Sequence, residues 1–434
     1  MRLPGRLAAA IEVLDDIDKR HRPVAEALKS WGLNNRFAGA GDRAAIGNLV
    51  YDALRKRASH AWAMGEDTPR ALVLSVAARD WGTTPEELND LFASDAHAPS
   101  VLSADEAHRL STSEPWLGAP DHVLADLPEW TMDSLHRSFG GDVVQEGRAL
   151  AGRPPLDLRV NTLRAERDRV LKALDRFGAR PAHISPVGIR IAAGTGDSRT
   201  PNVQVEEGYL KGWFEVQDQG SQLVAMIAGA RPGEQVLDLC AGAGGKTLAM
   251  AAAMGNKGQI FAFDSDRHRL APIYERLKRN GARNVQVRAP GEGVLDDLVG
   301  KMDRVVIDAP CTGSGTWRRR PDAKWKLNAE QVAARAAEQH AILSDGARYV
   351  CPGGTLVYIT CSILDEENGA QVGHFLSENP EFEALDTSRE LEAIADGASQ
   401  KAHRIAGNGV LLTPLRTETD GFFAALLRRR LRPE

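Results

Sequence analysis

Cysteine is scarce in this sequence, which contains four in 434 residues: Cys240, Cys311, Cys351 and Cys361. None of them forms a C-x-x-C pair, so we expect no disulfide framework of the kind found in small secreted proteins. The eleven histidines form no H-E-x-x-H motif and no cluster with cysteine, which predicts that the protein has no metal site for zinc. All four cysteines lie in the second half of the chain, and this raises the question of whether that half uses thiols chemically.

Long apolar runs and a strong net charge are also lacking. No stretch approaches the roughly 18 uninterrupted apolar residues that a membrane span needs. Glu12 and Asp15-Asp16 interrupt the apolar residues near the N-terminus, so we expect no signal peptide there. We therefore expect a soluble, cytoplasmic protein with no membrane partner. The net charge of −5 excludes a uniformly basic nucleic-acid-binding surface but leaves room for a local basic patch.

Three kinds of sequence follow one another along the chain. Residues 1–140 carry apolar residues at helical spacing and capping boxes, without strand alternation, which predicts an all-helical domain. Residues 141–230 mix short alternating and helical stretches and predict a small α+β segment. In residues 231–434, strands alternate with helices, which predicts a mostly parallel sheet. Its predicted strands are Gln235–Leu239, Gln259–Asp264, Val285–Arg288, Asp303–Asp308, Thr355–Thr360 and Phe422–Leu427.

The first of these strands runs into a glycine-rich turn, Cys240-Ala241-Gly242-Ala243-Gly244-Gly245-Lys246, and then into an alanine-rich helix. Glycines let the backbone approach a ligand closely, and Asp264, at the end of the next strand, is placed to bond ribose hydroxyls. The alternative is a tight turn without a ligand. Two nucleotide-binding motifs do not fit this turn, because a P-loop would need glycine in place of Cys240 and a dinucleotide fingerprint would need glycine in place of Thr247. A binding site for S-adenosylmethionine is the third option.

Two further strands lead into thiols. Asp308-Ala309-Pro310-Cys311 follows one apolar strand, and Thr360-Cys361-Ser362 follows another. A single cysteine of this kind is most often a small core residue. Two cysteines at the carboxyl ends of strands in one parallel sheet favour a catalytic role for these thiols, because ligands bind at that edge of the sheet. Cys351 comes before its predicted strand, and we expect it to be structural.

Together these segments resemble the Sun-type (RsmB-like) RNA cytosine-5 methyltransferase family. The resemblance covers about residues 140–430 and rests on Asp238-Leu239-Cys240-Ala241, Gly244-Gly245-Lys246-Thr247, Asp308-Ala309-Pro310-Cys311 and Thr360-Cys361-Ser362. The helical first part resembles the NusB-like RNA-binding module of that family. In two places the sequence departs from the family pattern. Ala243 stands where proline is usual. After the third strand of the methyltransferase part, where the family often has an acid that contacts adenine, no acid is directly aligned, and Glu292 is the first acid to follow.

The resemblance implies an α/β Rossmann-like methyltransferase core, an N-terminal all-α NusB-like domain and a small α+β linker domain. It also implies S-adenosylmethionine as the cofactor, bound by residues 240–246 with Asp264 and Asp308. It assigns Cys361 as the nucleophile and Cys311 as the residue that helps to release it. Two thiols suit this chemistry, because a thiolate that adds to cytosine C6 makes C5 nucleophilic. Asp308 is expected to bond the N3/N4 edge of cytosine, and Lys246 to provide a positive setting for a thiolate.

A basic run follows the Cys311 segment: Arg318, Arg319, Arg320, Lys324 and Lys326, with Trp317 and Trp325 interleaved. We expect it to hold phosphates and stack bases, and the alternative is a solvated basic loop. The expected function is methylation of C5 of a cytosine in 16S ribosomal RNA, by a monomer, through a covalent bond between cysteine and C6. The alternatives are a transfer RNA cytosine-5 methyltransferase and an RNA-binding assembly factor with a degenerate methyltransferase core.

Overall fold

The computed structural model describes residues 1–394 and 404–431. The chain divides into two compact units. Unit 1 comprises Met1–Pro154, Ala193–Thr200 and Trp317–Lys326, and unit 2 comprises Pro155–Ala192, Pro201–Thr316 and Leu327–Glu434. The three domain ranges expected from the sequence stay a prediction. No helix in the described part of the chain is both long enough and apolar enough to span a bilayer.

Unit 1 is helical. With helices numbered in chain order, it contains α1 (Leu3–Arg20), α2 (Val24–Asn34), α3 (Ala40–Arg55), α4 (Arg57–Met64), α5 (Pro69–Ser75), α6 (Pro85–Ser94), α7 (Ala104–Ser111), α8 (Asp121–Leu124), α9 (Met132–Phe139), α10 (Val143–Leu150) and α17 (Pro321–Lys326). Leu7, Leu14, Ile46, Leu49 and Leu72 lie in its core. The helix starts follow from local chemistry, because the hydroxyls of Thr84 and Ser103 accept the third backbone N–H of α6 and α7, as capping boxes predict.

The basic run that follows Cys311 lies within Trp317–Lys326, which belongs to unit 1, and several of its side chains are buried. Trp317 is 1% exposed, Arg318 4% and Lys324 2%. The Lys324 ammonium donates to the carbonyl oxygens of Arg55 (2.7 Å) and Asp126 (2.6 Å), and burial lowers the pKa of Lys324 to about 8. The prediction that these three side chains hold phosphates or stack on bases is therefore wrong. Lys324 fastens the segment to unit 1 through these two bonds instead.

Unit 2 contains a small antiparallel sheet and a large mixed sheet. The small sheet has the order β2-β3-β1-β4, with β1 (Leu156–Val160), β2 (Arg180–Pro181), β3 (Gly188–Ile191) and β4 (Phe214–Val216), and with α11 (Arg167–Ala173) and α12 (Glu207–Leu210) beside it in sequence. Leu158, Val160, Ile189 and Phe214 form its buried core. This is the small α+β segment that the sequence predicts.

The large sheet is the Rossmann-like core. Its strands are β5 (Gln235–Asp238), β6 (Gln259–Phe263), β7 (Val285–Arg288), β8 (Met302–Asp308), β9 (Val350–Thr360), β10 (Phe382–Ala384), β11 (Arg404–Ala406), β12 (Gly409–Leu412) and β13 (Phe422–Arg429). Its helices are α13 (Gln219–Ile227), α14 (Gly245–Ala253), α15 (Arg267–Leu270), α16 (Ile273–Asn280), α18 (Ala329–Ala347), α19 (Gly369–Glu378) and α20 (Thr387–Ile394). All six strands predicted from the sequence are present, and β10, β11 and β12 were not predicted.

The order of the large sheet is β11-β12-β13-β9-β8-β5-β6-β7, with β10 paired to β13. The five strands from β9 to β7 are parallel, and the remaining pairs are antiparallel. Strand β5 is followed along the chain by β6 on one side and later by β8 on the other, so the topology switches direction beside it. Ligands of open parallel sheets bind outside the carboxyl ends of the strands at such a switch. A ligand-binding site is therefore expected at the carboxyl ends of β5, β6, β8 and β9.

Candidate active site

The glycine-rich turn joins β5 to α14 at this edge of the sheet. Gly242 and Gly244 have φ values of +50° and +83°, in the left-handed region that favours glycine. A Cβ on Gly244 would lie 2.6 Å from Cγ1 of Ile273, so no larger residue fits there without rearrangement. Arg276 donates to the carbonyl oxygen of Ala243 at 2.8 Å and holds the turn from outside. The turn thus leaves the first N–H groups of α14 at the carboxyl end of β5.

Asp264 follows β6 and is held directly against this turn. Its Oδ2 accepts the backbone N–H of Gly242 at 2.9 Å, and its Oδ1 accepts that of Asp266 at 2.9 Å. The side chain is almost fully buried. The structure therefore brings Asp264 to residues 240–246, as the sequence places it. A carboxylate in this position suits hydrogen bonds to ribose hydroxyls.

Asp238 ends β5 beneath the turn and was not singled out as a site residue by the sequence. It is fully buried, and Thr247 donates its hydroxyl to Oδ2 at 2.6 Å. Burial raises the pKa of Asp238 to about 7. Its Oδ1 has no hydrogen-bond partner among the described residues. A buried carboxylate oxygen left without a donor is a feature that a polar ligand in the turn would satisfy.

Lys246 and Asp308 form an ion pair across the switch point. Lys246 is in the first turn of α14, Asp308 ends β8, and Lys246 Nζ lies 2.6 Å from Asp308 Oδ2. The same ammonium group lies 5.3 Å from the ring centre of Phe422, at the start of β13. The positive charge of Lys246 is therefore balanced by the carboxylate of Asp308. Its expected influence on a thiolate stays a prediction.

The two thiols expected to carry the chemistry lie side by side. Cys311 follows β8, Cys361 follows the neighbouring parallel strand β9, and their Sγ atoms are 3.3 Å apart. The hydrogen bond to Cys361, burial and the negative charge of Glu367 hold the pKa of Cys311 well above its ordinary value. Cys311 therefore keeps its proton near neutral pH, and either sulfur can donate in the contact between the two thiols. The assignment of Cys361 as the nucleophile of the pair stays a prediction.

The other two cysteines are in different settings. Burial, together with Asp238 and other nearby carboxylates, raises the pKa of Cys240, so this thiol stays neutral within the glycine-rich turn. Cys351 lies inside β9, although the sequence placed it ahead of the strand. Burial also raises the pKa of Cys351, and its Sγ lies 4.0 Å from Asp303 Oδ1. Both cysteines are poor nucleophiles as a result.

A buried acid that the sequence analysis missed supports the turn that carries Cys311. Glu367 is fully buried, and its two oxygens accept the backbone N–H (2.8 Å) and the hydroxyl (2.6 Å) of Thr312. Gln339 of α18 donates to Glu367 at 3.0 Å and to the carbonyl oxygen of Pro310 at 2.9 Å. The sequence offers almost no signal for this role, because Glu367 ends an acidic run that also suits a solvated loop.

Two parts of the chain match known protein families. The family described as 16S rRNA methyltransferase RsmB/F matches residues 225–428, and the ferredoxin-like domain of Methyltr_RsmF/B-like proteins matches residues 127–196. Over 312 residues, the chain is 32% identical to the "Probable ribosomal RNA small subunit methyltransferase B" of Synechocystis, covering 70% of this chain and 67% of that protein.

A second relative is the Ribosomal RNA small subunit methyltransferase B of Klebsiella pneumoniae, 34% identical over 311 residues, which are 70% of this chain and 66% of that protein. The chain thus matches about two thirds of the length of these curated relatives. Among solved structures, the crystal structure of PH0851 has a TM-score of 0.72 and 24% identity over 99% of both chains. At this identity, the match shows a common fold.

Proposed function

This chain belongs to the RsmB/F family of 16S rRNA methyltransferases, and from that premise we propose that it methylates C5 of a cytosine in 16S ribosomal RNA. Its membership of the family makes it an S-adenosylmethionine-dependent RNA methyltransferase. The observation that carries the finer proposal is the thiol pair, Cys311 Sγ 3.3 Å from Cys361 Sγ, at the ends of two parallel strands. Methylation at C5 of a pyrimidine calls for such a nucleophile, because C5 takes up a methyl group only after a thiolate has added to C6, and the resemblance to the cytosine-5 family makes that pyrimidine cytosine.

The residues at the switch point suit S-adenosylmethionine. The turn at residues 240–246 gives it a backbone cradle, and Asp264 lies where ribose hydroxyls would be bonded. Asp238 Oδ1 has no donor in the described part of the chain, and a bound ligand would supply one. Asp308 lies at the same edge of the sheet. When bound, S-adenosylmethionine supplies an electrophilic methyl group on its sulfonium. The chain has to hold the cytosine ring in line with that group and activate its C5.

The protein activates the cytosine through Cys361. Its thiolate adds to C6, the Sγ–C6 bond forms, and the electron pair of the C5–C6 double bond moves to C5, which takes up the methyl group. The C5 proton then leaves to a base, the C5–C6 double bond forms again, and Cys361 departs as a thiolate. Cys311 lies beside this sulfur and carries a proton, so it is placed to assist the departure.

Asp308 and Lys246 have roles in this proposal that follow from their ion pair. Asp308 bonds the N3/N4 edge of cytosine, where its carboxylate accepts a hydrogen bond from the N4 amino group and so orients the ring. Lys246 fixes the Asp308 carboxylate through the 2.6 Å contact and keeps the local charge balanced. In this arrangement, Lys246 acts on the reaction through Asp308.

The RNA target is tested in cells by bisulfite sequencing of total RNA, since 5-methylcytosine resists deamination. A strain without the gene is compared with the same strain carrying the intact gene or the Cys361→Ala variant. We expect one protected cytosine in 16S ribosomal RNA that is lost on deletion, restored by the intact gene and left unrestored by the variant. Protection that changes in a transfer RNA instead would favour the transfer RNA alternative. No change in any RNA would contradict the proposal.

A further inference from the structure

Two histidines and a glutamate gather on the surface of unit 2, on α18 and α19. His340 is on α18, and His374 and Glu378 lie one turn apart on α19. His374 Nε2 lies 3.1 Å from one oxygen of Glu378, and His340 Nε2 lies 3.4 Å from the other. One ligand atom from each residue can be chosen so that all three lie within 4.8 Å of one another.

The two contacts to Glu378, at 3.1 and 3.4 Å, are close to the spacing of ligand atoms around a small metal ion. Nitrogen and oxygen ligands lie about 2.0–2.2 Å from zinc, so at tetrahedral angles two ligand atoms are about 3.4 Å apart. The imidazole rings are stacked, with centres 4.5 Å apart and planes 18° from parallel, so that both Nε2 atoms face the same carboxylate. Two protonated rings in this arrangement would repel each other, whereas one shared cation would satisfy both lone pairs and the carboxylate.

We propose that His340, His374 and Glu378 form a binding site for a divalent transition-metal ion, with zinc as the expected occupant. Two imidazoles and one carboxylate are a known zinc donor set, and they leave a fourth position for water. Calcium and magnesium prefer oxygen ligands and do not suit this set. About half of the His374 and Glu378 side-chain surface and a third of that of His340 are exposed, so an ion can enter from solvent.

The ion would join the two helices that support the Cys311 turn. Gln339, the residue before His340 on α18, bonds both Pro310 and Glu367, and α19 begins two residues after Glu367. An ion bound by both helices would link them at their surface and stabilise the folded state by mass action. This site is separate from the residues proposed to react with RNA and cofactor.

The sequence predicted no zinc site, and the reason is spacing. His374 and Glu378 are four residues apart, which is a common helical pair, and His340 is remote in sequence. Only the packing of α18 against α19 brings the third ligand to the other two. The proposed site therefore departs from the expectation that the protein has no zinc site.

Isothermal titration calorimetry with zinc chloride tests the site. Because the thiol pair can also bind zinc, the titration uses the full-length chain with Cys311→Ser and Cys361→Ser as the background. We expect this protein to bind one zinc ion at the proposed site. His374→Ala in the same background should weaken that binding at least tenfold, and Glu378→Gln should weaken it as well. The matched control is His183→Ala, which removes an exposed histidine elsewhere in unit 2.

Thermal unfolding gives a second readout that does not depend on heat of binding. Zinc should raise the melting temperature of the background protein and of the His183→Ala control, and it should have little effect on the His374→Ala protein. Absence of zinc binding in the background protein would overturn the proposal. Binding that is equal in the background, His374→Ala and Glu378→Gln proteins would also overturn it, since the two imidazoles would then only pair with Glu378.

Discussion

Glu367 accepts two hydrogen bonds from Thr312, one from its backbone N–H at 2.8 Å and one from its hydroxyl at 2.6 Å. Thr312 is the residue after Cys311, and Glu367 is buried behind it. The carboxylate therefore determines the path of the backbone at a thiol that lies 3.3 Å from a second thiol. Small changes in this turn would alter the distance between the two sulfur atoms.

We expect Glu367→Gln to lower both stability and turnover. An amide nitrogen cannot accept, so either the Thr312 hydroxyl or both the Thr312 N–H and Gln339 lose their acceptor, at a cost of about 1–3 kcal/mol in the free energy of unfolding. Denaturant unfolding and methyl transfer from tritiated cofactor measure the two effects. Glu390→Gln, which changes an exposed acid of α20, is the control and should leave both unchanged. Equal stability of the two variants would show that Glu367 does not hold the turn.

Asp264→Ala is expected to weaken S-adenosylmethionine binding. The loss should be about 1.5–3 kcal/mol, as for hydrogen bonds to a charged group. Calorimetry with S-adenosylmethionine measures it, and Asp386→Ala, at an exposed acid of the same unit, is the matched control. An affinity equal to that of the unaltered protein would remove Asp264 from the proposed cofactor site.

The buried Asp238 predicts a pH dependence of stability. Its pKa is raised from 3.8 to about 7 in the folded protein, so between about pH 4 and 7 the folded state keeps a proton that the unfolded chain has released. Raising the pH through this window therefore lowers the free energy of unfolding. Asp238→Asn cannot titrate, so the variant should gain stability relative to the unaltered protein as pH rises from about 4 to 7. Parallel pH profiles of the two proteins would contradict the raised pKa.

Oxidation should inactivate the enzyme through its thiol pair. The Cys311 and Cys361 sulfur atoms are 3.3 Å apart, and a disulfide bond of about 2.05 Å requires only a small movement. Diamide takes two electrons and two protons from the thiols as that bond forms. We expect loss of methyl transfer, recovery with dithiothreitol and a cross-linked peptide joining the two residues. Full activity after diamide, with both thiols still free, would show that the sulfur atoms are further apart in solution.

Much of the catalytic core follows from the sequence, because its strands are apolar and its turns carry unusual residues. The alternation of strand and helix predicts a parallel sheet, and a parallel sheet places Asp264, Asp308 and Cys361 at one edge. Strands such as β12, with four residues, are too short to show a period. The sequence also resembled a known family in the motifs around the two thiols, and the family is confirmed.

Other features depend on tertiary contacts that local sequence does not encode. Tryptophans among lysines and arginines suit an RNA-binding loop, yet Lys324 is buried because the carbonyl groups of Arg55 and Asp126 meet its charge. Glu367 has the same ambiguity in an acidic run. In both cases, a charged side chain is stabilised by backbone groups from remote parts of the chain. The spacing of residues in the sequence does not predict these contacts.

The most direct test of the covalent mechanism follows the enzyme–RNA adduct in denaturing electrophoresis with labelled 16S ribosomal RNA and S-adenosylmethionine. If Cys361 attacks C6 and Cys311 assists release, Cys311→Ala should attack and methylate and then stall, which gives a denaturation-resistant band. Cys361→Ala and the double variant should give no band, because trapping requires the attack. A band from Cys361→Ala alone would reverse the roles of the two thiols. No band from either single variant, with both at full turnover, would contradict the account.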